Sequence, residues 1–117
     1  MFSRELSVAF GDEKLKIVYD HLRFGSFEYR QLYYKIEKII DELKMNPFFG
    51  IQIHKKLIPR EYISKYGAQN LWKINLTSSW RLIYTVTQTE VIIVSVILDW
   101  FSHKEYERRL STKDRFK

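Results

Sequence analysis

The sequence predicts an α+β domain: a helical hairpin packed on an antiparallel β-sheet, with a short helix near the C-terminus. Three observations predict it. Up to Asn46-Pro47, apolar residues recur at helical spacing. After Gly50 the period changes to two. A hydrophobic share of 45% over 117 residues can supply the core of one domain but not of two, so residues 1–117 read as a single domain.

Each element follows in order. Ser7–Phe10 reads as a short first strand, and Gly11-Asp12 as a turn with a helix N-cap. Leu15, Val18, Tyr19 and Leu22 share one helical face. Gly25 ends that helix and Ser26 can cap the next. In the second helix Tyr29, Leu32, Tyr33, Ile36, Ile39, Ile40 and Leu43 form the stripe, and Asn46-Pro47 stops it. Ile51–Leu57 reads either as a strand or as an extended arm. Pro59–Tyr66 reads as a helical turn ended by Gly67. In Leu71–Leu76, Trp72, Ile74 and Leu76 alternate with Lys73 and Asn75. In Trp80–Thr87, Trp80, Leu82, Tyr84 and Val86 alternate with Arg81, Ile83 and Thr85. Val91–Leu98 is apolar on both faces, as a central strand is, and Ser102–Leu110 reads as a short basic helix.

Composition narrows the functional classes. With no cysteine there are no disulfides, thiolate metal sites or Cys nucleophile, which fits a reducing cytoplasm. Met1–Phe10 carries Arg4 and Glu5 and lacks a long apolar run, which argues against a secretory leader. Val91–Leu98 is far shorter than the roughly 20 residues of a membrane helix. Charge is uneven along the chain. Residues 1–50 hold eight basic and eight acidic side chains. Residues 51–81 hold Lys55, Lys56, Arg60, Lys65, Lys73 and Arg81 against Glu61 alone. Residues 82–117 hold six basic and five acidic, for a total of +6. The basic middle segment reads either as a surface for polyanions or as ordinary solubilising charge.

If Thr77-Ser78-Ser79 is a loop, Asn75 lies opposite Arg81. Lys73, Asn75 and Arg81 then share the sheet face turned away from Trp72, Ile74, Leu82 and Tyr84. Lys73 and Arg81 converging there suit a phosphate, the arginine through its planar fork and the lysine as a point charge. The alternative is a plain solvated strand face.

The ordered set Asn70-Leu71-Trp72-Lys73-Ile74-Asn75-Leu76, Ser79-Trp80-Arg81-Leu82-Ile83-Tyr84-Thr85-Val86, Val91–Leu98 and His103-Lys104-Glu105-Tyr106 resembles the RelE/ParE toxin superfamily. The helix ending at Asn46-Pro47-Phe48 before Gly50 is similar to that family's helix-to-strand junction. The resemblance covers roughly residues 27–110. The Ile58–Gln69 insertion and the His-Lys-Glu-Tyr tail look most like an archaeal branch. It implies a toxin of a toxin–antitoxin pair. RelE-like members cut messenger RNA in the ribosomal A site without a metal, and ParE-like members poison DNA gyrase. It therefore implies no cofactor and no metal, an acidic antitoxin, and ribosome-bound mRNA as partners. By position it assigns Arg81 to the scissile phosphate, Lys73 to the first strand lysine and Tyr106 to the tyrosine near the attacking hydroxyl. His103 is a further catalytic candidate. Lys55, Lys56, Arg60, Lys65 and Asn75 are the expected RNA contacts.

Two positions depart from the pattern. Asn75 replaces the second strand lysine, and Asp99-Trp100-Phe101 stands where an arginine follows the long strand. Glu61 or His103 can substitute in proton transfer. Bland readings stand beside these assignments. His103 can be an exposed helix start, and Tyr106 a packing residue. Trp72 and Trp80 read as core residues, with Tyr62 and Tyr66 as better base-stacking candidates. His21 and His54 have no metal-ligand company at a recognisable spacing. Two functions compete: a ribosome-dependent endoribonuclease toxin, and a non-catalytic binder on the same fold. The binder would be a ParE-like gyrase inhibitor or a repurposed nucleic-acid- or protein-binding module.

Overall fold

The computed structural model describes residues 4–110. Residues 1–3, at the start of the segment read for a leader, and 111–117, which include Lys113, Arg115 and Lys117, lie outside it.

The chain runs β1 (Glu5–Phe10), α1 (Glu13–Leu22), α2 (Phe27–Met45), β2 (Ile51–Gln52), a 3-10 turn (Lys55–Leu57), α3 (Arg60–Tyr66), β3 (Trp72–Asn75), β4 (Trp80–Gln88), β5 (Ile92–Ser102) and α4 (His103–Leu110). The helix starts follow from local chemistry. The Asp12 carboxylate accepts from the Leu15 N–H at 2.7 Å, and the Ser26 hydroxyl from the Tyr29 N–H at 3.3 Å. Each satisfies an amide that the helix leaves unpaired. Gly67 ends α3 with φ +64°, a left-handed conformation that a Cβ disfavours.

The five strands form one sheet in the order β1-β5-β4-β3-β2. The α+β class holds, but the sheet is mixed rather than antiparallel. β1 lies parallel to β5, Glu5 beside Ile92 through Phe10 beside Ile97. The hairpin that follows β1 carries the chain across the sheet, and the last strand then fills the position beside β1. Alternation within a strand carries no sign of its direction.

One core lies between the hairpin and the sheet. Tyr19 and Leu22 of α1 and Leu32, Ile36 and Leu43 of α2 meet Ile74, Leu82, Tyr84, Ile97 and Trp100. Ile40 is only half-buried and Tyr29 is exposed, so the α2 stripe is narrower than its spacing predicts. The opposite face is not the open, solvated strand face that is one reading of it from the sequence. Ile53, Ile58, Tyr62, Leu71, Ile83, Leu98, Phe101 and Leu110 form a second core there, roofed by the 3-10 turn, α3 and α4.

β5 is longer than Val91–Leu98 suggests. Ile83 pairs with Asp99 but Tyr84 pairs with Ile97, so Leu98 is the extra residue of a β-bulge. Leu98 and Asp99 interrupt the alternation, Trp100 returns to the hairpin core and Phe101 joins the second core. Asp99, Trp100 and Phe101 are therefore strand residues and not a segment following the strand. Among the described residues no helix is long and apolar enough to cross a membrane.

Candidate functional site

The register places Asn75 opposite Arg81, as the loop at Thr77-Ser78-Ser79 requires, and Arg81 opposite Phe101. These three residues form a row across β3, β4 and β5 on the second face. At this end of the sheet the roof is α4, which starts directly after β5.

Arg81 is half-buried and folds back on the β3–β4 turn. Its Nη1 donates to the carbonyls of Thr77 and Trp80, each at 3.1 Å, and of Ser78 at 3.4 Å. Its Nη2 lies 2.9 Å from His103 Nδ1. The His103 N–H in turn donates to the Ser79 carbonyl at 2.7 Å. The carbonyls of the turn residues Thr77, Ser78 and Ser79 are thus satisfied by Arg81 and the first residue of α4, as backbone acceptors near a core require. His103 Nε2 lies 3.4 Å from Glu107 Oε1, one helical turn along α4.

Lys73 and Tyr106 form the neighbouring pair. The Lys73 ammonium sits 4.8 Å from the Tyr106 ring centroid, and that ring lies 6.3 Å from Phe101. A cation over an aromatic face is held by the ring quadrupole, and the phenol is packed between an ammonium and the core. Arg81, His103, Lys73 and Tyr106 are therefore gathered at one end of the second face. Among the described residues, neither Arg81 nor Lys73 has a carboxylate within ion-pair distance.

The remaining candidates are spread more widely. Asn75 is exposed opposite Arg81. Lys55 and Lys56 are exposed on the 3-10 turn, which His54 caps by accepting from the Lys56 N–H at 3.2 Å. Arg60 is exposed at the start of α3. Lys65 is bound to Asp12 at 3.0 Å, beside the first turn of α1. Tyr66 donates to the same carboxylate at 2.8 Å, so this pair staples α3 to α1. Tyr62 is only 3% exposed and cannot offer a stacking face to a base. Trp72 stacks with Tyr84 in the hairpin core, and His21 lines an apolar cleft beside Trp80 and Trp100.

Glu61 is 3.6 Å from Arg109, not beside Arg81. Arg109 gathers a second polar cluster: Glu105 at 2.6 Å, Asp99 at 3.3 Å and the Tyr62 hydroxyl at 3.3 Å, with its guanidinium 4.9 Å from the Phe101 ring. Burial pushes the Asp99 carboxyl above its ordinary value, opposed by the Trp100 N–H and by Arg109. Arg108, then Arg109, hold Glu105 down at about 2. Sequence reasoning missed this cluster, although Glu105 and Arg109 stand at helical i,i+4 spacing. It also missed Glu107, which has the same spacing from His103.

No protein-family model, curated protein or solved structure matches this chain.

Proposed function

We propose that this chain is a RelE-like toxin that cuts messenger RNA on the ribosome, in the cytoplasm and without a metal. The observation that carries the reading is the meeting of Arg81 with His103, beside Lys73 and Tyr106, where among the described residues neither Arg81 nor Lys73 is ion-paired to a carboxylate. Those groups match the needs of RNA transesterification. A base removes the proton from a 2′-hydroxyl, the O2′–P bond forms, the P–O5′ bond breaks, and an acid returns a proton to the departing 5′-oxygen. The products are a 2′,3′-cyclic phosphate and a 5′-hydroxyl. His103 and Tyr106 are the proton-handling groups of the cluster. Arg81 and Lys73 stabilise the extra negative charge on the phosphorus oxygens. Lys55, Lys56 and Arg60 are exposed cations on the same chain segment, available to the RNA backbone. A small acidic antitoxin is the partner this reading calls for, its acids lying over Lys55, Lys56, Lys73 and Arg81.

The test is induced expression of the chain beside a matched Arg81→Ala control, with RNA ends mapped on ribosomes. Losing one transition-state donor costs about 3 kcal/mol, roughly a hundredfold in rate, so the variant should lose toxicity and the A-site cuts together. Cuts that persist in the variant sink the assignment of Arg81.

One feature favours a second reading, a non-catalytic binder. Half of the Arg81 fork is committed to turn carbonyls, and the neighbouring position is the uncharged Asn75. Growth arrest without new RNA ends would select that reading.

A further inference from the structure

The Arg81–His103 contact has a chemical consequence. A guanidinium only donates hydrogen bonds and stays charged, so an imidazole nitrogen 2.9 Å from Arg81 Nη2 must accept. His103 Nδ1 therefore carries no proton in this arrangement. The ring proton sits on Nε2, which lies 3.4 Å from Glu107 Oε1. The other side of the fork is pinned by the carbonyls of Thr77, Ser78 and Trp80. The Nη2 side is the part left for a ligand, and the imidazole takes one of its hydrogens.

We propose that Arg81 and His103 form a latch that a phosphate group opens, and that opening it converts His103 from a neutral ring into an imidazolium. The identity of the ligand as a phosphate rests on the functional reading above. A guanidinium bonds a phosphate oxygen more strongly than a neutral imidazole nitrogen, because both partners are charged. A phosphate seated on the Nη2 side therefore competes with the imidazole for the hydrogen that His103 holds, and in the latch it displaces the ring. The freed Nδ1 lone pair then faces an anion, with Glu107 at the other ring nitrogen, and takes one proton from solvent. Phosphate and a proton enter together. Among the described residues, the charged groups in contact with the ring are Arg81 from β4 and Glu107 from α4. β3 contributes the uncharged Asn75 nearby, and the Lys73 ammonium is held over Tyr106. A latch of this kind keeps the acid–base group in one tautomer until a phosphate is seated, and then makes it a hydrogen-bond donor to that phosphate.

The test is 15N NMR of the histidine rings in the full chain, with inorganic phosphate added at constant pH and ionic strength. The three histidines are His21, His54 and His103, and a His103→Gln spectrum assigns the third. Without phosphate, His103 should show an unprotonated Nδ1 and a protonated Nε2. With phosphate, both His103 nitrogens should become protonated while His21 and His54 stay unchanged. Arg81→Leu should lose the tautomer preference and the phosphate response. Glu107→Gln, an exposed change that spares the fold, should keep the tautomer but give a smaller protonated fraction at the same phosphate concentration. An Nδ1–H tautomer in the phosphate-free protein overturns the proposal. So does a ring that phosphate leaves unmoved, and so does a Glu107→Gln variant indistinguishable from the parent. None of these readouts uses RNA cleavage. A protein that cuts RNA with an unresponsive His103 loses the latch alone, and one that responds to phosphate but cuts nothing loses the nuclease reading alone.

Discussion

Tyr84→Phe isolates one tertiary tie. Tyr84 is fully buried in β4, and its hydroxyl does two things at once. It accepts from the Gly50 N–H at 2.9 Å and donates to the Pro47 carbonyl at 2.9 Å. The segment between α2 and β2 needs this tie, because β2 has only two paired residues, Ile51 with Lys73 and Gln52 with Trp72. Phenylalanine keeps the ring, so no cavity opens and the hydrogen bonds alone are removed. A typical intramolecular hydrogen bond nets about 1 kcal/mol, and a buried partner left unpaired adds to that. Pro47 is buried and keeps an orphaned carbonyl, whereas half-buried Gly50 can recover a water. The expected loss is about 2 kcal/mol. With a urea slope of about 2 kcal/mol per M, the unfolding midpoint should fall by about 1 M at unchanged slope. Hydrogen exchange at the Gly50 amide should quicken at the same time. A midpoint within error of the parent, or a Gly50 amide that stays protected, would refute the claim that this hydroxyl holds the junction.

Three further outcomes follow from the same structure. Gly50→Ala should destabilise by about 1–3 kcal/mol in the same urea assay, since its Cβ would lie 2.7 Å from the Lys73 carbonyl oxygen, a backbone atom with little room to yield. Asp12 is held down at about 2, first by the Leu15 N–H and then by Lys65 and Tyr66, and Glu105 is held at about 2 by Arg108 and Arg109. Folded values below the unfolded ones mean that their stabilisation is present above pH ~4 and lost as pH falls from there towards ~2. Asp12→Asn keeps the capping oxygen and should flatten that loss, read from urea midpoints across the range. Asp99 runs the other way, because its burial raises its value and protonation favours the folded chain. Lys73→Ala should lower the slope of log affinity for RNA against log salt by about 1, through one phosphate contact fewer. An unchanged slope would confine Lys73 to its packing against Tyr106.

The helices, the strand pair Trp72–Asn75 with Trp80–Gln88 and the row Asn75–Arg81 were legible in the sequence because they rest on local rules. Asp12 and Ser26 cap by reaching amides three residues ahead, and a short loop sets hairpin register. Gly67 supplies a backbone conformation that other residues avoid. Three things depended on residues far apart in the chain. The parallel pairing of β1 with β5 joins segments more than 80 residues apart, and no pattern within either strand records it. The apolar run stops at Asp99, so Asp99–Phe101 read as following the strand, whereas past the bulge at Leu98 they still pair with β4. The second core buries Ile83 of the sheet against Tyr62 of α3 and the residues of α4, turning an apparently open face into a roofed one with Arg81 and Lys73 at its rim. The chemistry at Arg81 divides in the same way. Its charge and its face are written in β4, but its hydrogen bond to His103 exists because β5 continues past the bulge far enough to set α4 against the β3–β4 turn. Side-chain period is a property of one segment. Which segments meet, and which nitrogen then carries the proton, depends on how they pack.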